Sequence, residues 1–192
     1  MKNIRMKYVF SGVCALAGLF AQAAVLSDFQ RPTPDTKTIA VKWQAYSDQI
    51  ARGNSTADYR IEQEGHNSYL RLTGTLAAGF FYPYAGVQML WESSRRIQGL
   101  PQAQGVRFRA KGDNKVYRLQ LLLSSVQDHN EYSIEFSPNA EWRPFEVRFD
   151  QLKQAGWGQQ VTWDPAKIRG VGFHIDGGVM PFELALDDLE LF

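Results

Sequence analysis

Apolar and polar residues alternate along most of this chain. A repeat of two is the period of a strand with one face in a core and the other in water. Val106, Phe108 and Ala110 alternate with Arg107, Arg109 and Lys111, and Tyr117, Leu119, Leu121 and Leu123 stand opposite Arg118 and Gln120. The same pattern sets Tyr132, Ile134 and Phe136 against Ser133 and Glu135, Phe145, Val147 and Phe149 against Glu146 and Arg148, and Val171, Phe173 and Ile175 against Gly172 and His174. Turn chemistry separates these runs at Gly112-Asp113-Asn114, Asp128-His129-Asn130 and Gly177-Gly178. Further strands are predicted at 39–43, 57–62, 69–76 and 89–91, with at most one helical turn, at 150–154. About ten short antiparallel strands predict an all-β fold, an antiparallel β-sandwich of the jelly-roll kind. Near the end, Phe182, Leu184 and Leu186 are even-numbered while Leu189 and Leu191 are odd. A flat strand cannot turn both sets inward, so a bulge is predicted at Asp187-Asp188.

Residues 1–23 are of another kind. Lys2, Arg5 and Lys7 precede an apolar run from Tyr8 to Phe20, and Ala21-Gln22-Ala23 follows. A basic start, a short apolar stretch and a small-x-small site describe a secretory signal peptide. The run is short of the ~20 apolar residues of a membrane-spanning helix, so no span is expected after cleavage. Cys14 inside the run raises a lipoprotein signal as the alternative, but Val13 stands where that processing wants a small residue. Cleavage after Ala23 removes the one cysteine of the chain. A thiol-free domain suits an oxidising compartment, and the bacterial periplasm is the expected location. The expected organisation is a signal peptide over 1–23, an extended lead-in over 24–39 and one β-sandwich domain over 40–192.

Composition closes several functional classes. With 21 basic and 20 acidic residues there is no cationic excess for a nucleic acid, and a single cysteine cannot form an internal disulfide. His66, His129 and His174 have no zinc-ligand spacing. No nucleophile elbow, phosphate-cradling loop or dinucleotide fingerprint occurs. The chain reads as a non-enzyme without a cofactor.

Four segments are less generic. The loop from Tyr46 to Ala57 offers Asp48, Asn54 and Ser55 to a ligand, although Asp and Asn equally bond their own backbone in turns. Gly79-Phe80-Phe81-Tyr82-Pro83-Tyr84-Ala85-Gly86-Val87 is an aromatic cluster flanked by glycines and broken by proline, which suits a rim loop. Its tyrosine faces suit stacking on a sugar ring or gripping a protein partner, or else capping the sandwich end. The outward residues Arg107, Arg109, Arg118, Gln120, Glu135, Arg148 and His174 line a polar face if their strands adjoin. Asp28 and Asp187 or Asp188, near opposite ends of the domain, are candidate oxygen ligands for a structural Ca²⁺.

These same segments carry a resemblance. Trp43, Asp48, Gly53 and Ser55 resemble the Trp…Asp…Gly-Gly-x-Ser opening of the complex I intermediate-associated protein 30 family, with Asn54 where a second glycine is usual. Leu72-Thr73-Gly74-Thr75-Leu76 with Gly79-Phe80, Ala110-Lys111-Gly112-Asp113 before Tyr117, Trp142 before Phe145-Glu146-Val147, and Phe182-Glu183-Leu184 before Asp187-Asp188-Leu189 resemble its later elements in order. The resemblance implies a galactose-binding-like jelly roll and a non-enzymatic binding or assembly role toward a protein partner. Its eukaryotic members assist assembly of mitochondrial respiratory complex I. Family 11 carbohydrate-binding modules share the fold and similar hairpins, which implies the alternative of a periplasmic carbohydrate binder. Under that alternative Tyr82, Tyr84 and Trp91 are the stacking candidates, with Arg118 on the polar face.

Overall fold

The computed structural model describes residues 24–30, 41–91, 97 and 100–192. The signal peptide expected over 1–23 and residues 31–39 of the expected lead-in lie outside them. The described residues form eleven strands: β1 (Ala24–Ser27), β2 (Val41–Ser47), β3 (Thr56–Glu64), β4 (Asn67–Leu76), β5 (Tyr84–Trp91), β6 (Gly105–Gly112), β7 (Tyr117–Leu123), β8 (Tyr132–Phe136), β9 (Arg143–Arg148), β10 (Ile168–Asp176) and β11 (Met180–Leu191). They pair antiparallel throughout, in a six-stranded sheet of order β3-β4-β11-β6-β9 with β1 added against β11, and a five-stranded sheet of order β2-β5-β10-β7-β8. This is the all-β, antiparallel jelly-roll sandwich that the alternation predicts.

The two sheets close on a core drawn from their inward positions. Leu70, Leu72, Phe108, Ala110, Leu184 and Leu186 come from the larger sheet, and Val87, Met89, Leu119, Leu121, Phe173 and Ile175 from the smaller. Each such leucine or isoleucine contributes ~1.5–3 kcal/mol by leaving water. Phe108 joins the sheets, its ring 5.1 Å from Phe173 edge-on and 5.3 Å from Phe145 in a stack. The predicted bulge is present. Pairing of β11 with β6 shifts between Asp187 and Glu190, and Asp188 takes a φ of 49°. That extra residue is how Leu186 and Leu189 are both buried.

Two details of the sequence reading change. The strand expected at 89–91 begins five residues earlier, at Tyr84, because Tyr84 pairs with β10 and Ala85 to Val87 pair with both β2 and β10, so Tyr84 to Val87 of the expected rim loop belong to β5. The turn expected at 150–154 is a single 3₁₀ turn, Phe149–Gln151. Among the described residues no helix is long and apolar enough to cross a membrane.

Candidate ligand-binding face

The seven outward residues expected to share one polar face divide between two. Arg107, Arg109 and Arg148 lie on β6 and β9 of the larger sheet, whereas Arg118, Gln120, Glu135 and His174 lie on β7, β8 and β10 of the smaller. Residues in register on neighbouring strands point the same way, so the smaller sheet's outer face can be read off its pairing. One row crosses all five strands as Gln44, Gln88, Gly172, Gln120 and Ser133. The next row is Tyr46, Gly86, His174, Arg118 and Glu135, and beyond it Tyr84 pairs with Asp176.

Glycines let these rows pack. A Cβ on Gly86 would stand 2.6 Å from the Tyr46 hydroxyl oxygen, so the missing side chain is what lets the phenol cross β5. Its hydroxyl reaches 3.0 Å from Nδ1 of His174 and 3.4 Å from Oε1 of Gln120. Tyr46, Tyr84 and His174 form a triangle of rings, with centroids 6.0 Å apart for Tyr46–His174 and 5.8 Å for Tyr84–His174, both near parallel. Gly172 is different. A Cβ there would find only ordinary contact, 3.5 Å from the Gln120 amide oxygen. It is the floor of a notch between two glutamine side chains.

Asp176 anchors the polar end of the face. It accepts from the Tyr82 hydroxyl at 2.9 Å, lies 3.2 Å from Nε2 of His174 and is paired with the Arg118 guanidinium, which also meets Glu135 at 3.4 Å. The Tyr46 hydroxyl, which donates to Gln120, stands within hydrogen-bond distance of Nδ1 of His174, and the other ring nitrogen of His174 faces Asp176. Burial pushes the Asp176 carboxyl upward, but hydrogen bonds from His174 and Tyr82 and the Arg118 charge outweigh it and hold Asp176 below the usual carboxylate range. Burial raises the Tyr46 and Tyr84 phenols, so both stay protonated. Arg118, Glu135, His174, Asp176 and Val116 enclose a shallow depression of about 210 Å³. The face therefore combines aromatic rings, uncharged amides and one fixed carboxylate–guanidinium group.

The other residues singled out from sequence fall elsewhere. Asp48 and Ser55 are both 0% exposed. Asp48 accepts from the Ser55 backbone N–H at 2.9 Å and from its hydroxyl at 2.6 Å, and Ser55 accepts in turn from the Ala77 N–H at 3.1 Å. A Cβ on Gly53 would stand 2.2 Å from Oδ1 of Asp48, which accounts for glycine there. The Trp43…Asp48…Gly53-x-Ser55 pattern is thus an internal latch that fixes the chain after β2. Asn54 is exposed and donates to the Ala78 carbonyl at 2.8 Å. Trp91 is 6% exposed and gives its indole N–H to the Ile168 carbonyl at 3.1 Å, within the core. Tyr82 lies on the loop expected at the rim, and its hydroxyl orients Asp176.

Asp28 accepts from the Gln30 N–H, and buried Asp187 accepts from Asn67 at 2.6 Å and from the Asp188 N–H at 2.8 Å. Among the described residues no group of three or more His, Cys, Asp or Glu side chains is placed to hold a metal ion. A larger depression of about 630 Å³ lies on the opposite sheet. There Arg107 pairs with Glu146 at 2.8 Å and Glu190 at 3.8 Å, and Arg109 with Asp188 at 3.6 Å. Nearby Trp142 is flanked by Arg109 and Lys111, 5.5 and 5.0 Å from its ring. That surface is a self-paired charge lattice without the neutral amide row of the smaller sheet. Tyr46, Gln88, Gly172 and Asp176 were not legible as site residues, because each is defined by its register neighbours on other strands.

A family model described as complex I intermediate-associated protein 30 matches residues 27–186. Endoglucanase 3 of Fibrobacter succinogenes is 25% identical over 149 residues, covering 70% of this chain and 22% of that protein. The chain thus spans about a fifth of that relative's length. The family 11 carbohydrate-binding module of a cellulosomal cellulase of Clostridium thermocellum is similar with a TM-score of 0.68 at 15% identity, over 90% of this chain and 95% of that one. A family 11 module of the same organism, in complex with a beta-1,3-1,4-mixed-linked tetrasaccharide, gives a TM-score of 0.65 at 15% identity, over 88% and 95%. At these identities the likeness is one of fold.

Proposed function

We propose that this chain, which belongs to the complex I intermediate-associated protein 30 family, is a secreted, non-catalytic module that binds a neutral polysaccharide on the outer face of its five-stranded sheet. The observation that carries this reading is the uncharged row Gln44–Gln88–Gly172–Gln120–Ser133 lying beside the Tyr46–Tyr84–His174 rings. Amides donate and accept at once, as sugar hydroxyls do, and aromatic faces suit the apolar side of a pyranose. The glycine floor lets a ring approach the backbone of β10. Asp176, held ionised among three donors, is a hydroxyl acceptor rather than the proton donor a glycoside hydrolase needs. The mixed-linked tetrasaccharide of one structural relative and the endoglucanase name of another support a β-linked glucan as the first ligand to test. Processing after residue 23, a lead-in over 24–39 whose first residues join the sandwich as β1, and a domain over 40–192, exported to the periplasm, complete the proposal.

The test is retention in native gels cast with mixed-linked β-glucan, followed by calorimetric titration. The wild-type protein is expected to be retarded, with no reducing ends released. Tyr82→Ala with Tyr84→Ala should abolish retardation. Gly172→Val should weaken binding at least roughly tenfold, a loss of ~1.4 kcal/mol, without lowering the thermal midpoint, because β-branched residues favour strands. Unretarded wild-type protein across neutral glucans and galactans overturns the reading. A protein partner, the family's assembly role, is the second reading. Phe81 at 98%, Ile50 at 88% and Val179 at 65% exposure on loops at one end of the sandwich favour it, and retention of a partner that sugar does not elute would establish it.

A further inference from the structure

Trp157 is 57% exposed, on a loop flanked by Gly156 and Gly158. The loop that carries it is held firmly from below. Asn130, 2% exposed, donates through its side-chain nitrogen to the carbonyls of Ala155 and Trp157 and accepts from the Ala155 N–H at 2.9 Å. Asp128 accepts from the Gln159 N–H at 2.6 Å, and Gln154 both donates to the Asn130 carbonyl at 2.6 Å and accepts from the Val161 N–H at 2.8 Å. None of these bonds involves the indole. The scaffold holds a large flat ring toward water and does not need that ring for its own shape. A pre-set aromatic face loses little entropy on meeting a ligand, and tryptophan offers the largest such face.

The position of the loop gives the ring a role. Lys153 and Ser133 exchange backbone hydrogen bonds at 3.0 and 3.1 Å, which adds the base of the loop to the edge of β8. Ser133 is also the last member of the amide row. The Trp157 carbonyl rests on Asn130, two residues before β8, so the residue stands past the β8 edge, away from the aromatic loop at 77–83. The Tyr46–Tyr84–His174 triangle lies toward that loop, at the opposite end of the five-stranded sheet. Gly172 lies between them.

We propose that Trp157 is a second stacking point for the same neutral glycan, which crosses the face obliquely from the tyrosine triangle over Gly172 to the β8 edge. The inference rests on the polysaccharide reading given above. Five strands at ~4.8 Å spacing span ~19 Å, so a short oligosaccharide fits on the sheet itself and only a longer chain reaches Trp157. The experiment titrates wild type, Trp157→Ala and Trp157→Phe with mixed-linked glucan oligosaccharides from tetrasaccharide to octasaccharide. The tetrasaccharide should bind all three equally. The octasaccharide should bind wild type more tightly and Trp157→Ala roughly five- to tenfold more weakly, as loss of one stacking contact implies, with Trp157→Phe in between. Tryptophan emission should shift to the blue with the octasaccharide alone and lose that response in Trp157→Phe. Equal thermal midpoints for the three proteins confirm intact folds. Wild type that binds glucan with no difference from Trp157→Ala at any length overturns the proposal and leaves the polysaccharide reading standing. Wild type that binds none of the series overturns both.

Discussion

Glu131 precedes β8 and is 6% exposed, with the Leu123 N–H donating to its carboxylate at 3.1 Å. Burial raises its pKa to about 7, offset in part by the Leu123 hydrogen bond and the charge of Arg169. A carboxyl raised on folding binds its proton more tightly in the native state. Its contribution is therefore complete below the unfolded value near 4.5 and is lost as pH rises toward 7. The loss is about 3 kcal/mol. Glu131→Gln keeps an acceptor for Leu123 and has no charge to bury, so it should be the more stable protein at pH 8 and lose the decline between pH 4.5 and 7. Urea unfolding at several pH values measures this, and parallel curves for the two proteins would refute it. Asp176 works in the opposite sense. Its partners hold its pKa low, so the stability they supply is present above the ordinary carboxylate range and is lost only as pH falls through the depressed value. At this scale the residue types were visible in the sequence, and their partners were not. The bonds that remove Asp48 and Ser55 from any ligand and the bond that gives Tyr82 to Asp176 depend on the folded chain.

Strand β11 shows what one element can carry in its sequence alone. The change of parity between Leu186 and Leu189 announces the bulge, and the pairing with β6 realises it as one extra residue between Asp187 and Glu190. Removing Asp188 restores strict alternation from Phe182 to Leu191 while keeping the β6 register. That deletion should leave a folded protein, at the cost of the buried Asp187–Asn67 bond. Removing Ala185 instead turns Phe182 and Leu184 outward on the near side or Leu186 onward on the far side. It exposes at least two core side chains, roughly 3–6 kcal/mol, which is comparable with the whole stability of a domain. Near-ultraviolet circular dichroism with thermal unfolding distinguishes the two, and equal damage from both deletions would contradict the bulge reading. Strand β5 shows the reverse. Pro83 and the aromatic run mark the loop over 79–83, but the stretch from Tyr84 to Val87, expected in the same loop, is strand, because Tyr84 pairs with β10 and Ala85 to Val87 pair with strands on both sides.

For the molecule as a whole, a ligand that binds the native sandwich alone stabilises it by mass action. At about 100 times its dissociation constant a glucan should add ~2.7 kcal/mol and raise the midpoint by roughly 5–10 °C in a domain of this size. Gly172→Val should keep its own midpoint and, at the same glucan concentration, lose at least about half of this rise. A rise preserved in that variant would place the ligand off the five-stranded face. Two sheets, one core, antiparallel pairing and the β11 bulge were legible from residue order, because a period of two and turn residues are local properties of a chain. The family motif Trp43…Asp48…Gly53-x-Ser55 was legible too, but its meaning was not, since a loop and an internal latch have the same spelling. What only the tertiary structure decided is which outward residues become neighbours. Chain order sets Gln44, Gln88, Gly172, Gln120 and Ser133 far apart, and strand order β2-β5-β10-β7-β8 makes them one row. Alternation tells a side chain which face it occupies, whereas hydrogen-bond register between distant strands selects the side chains beside it. A binding face is a property of that register.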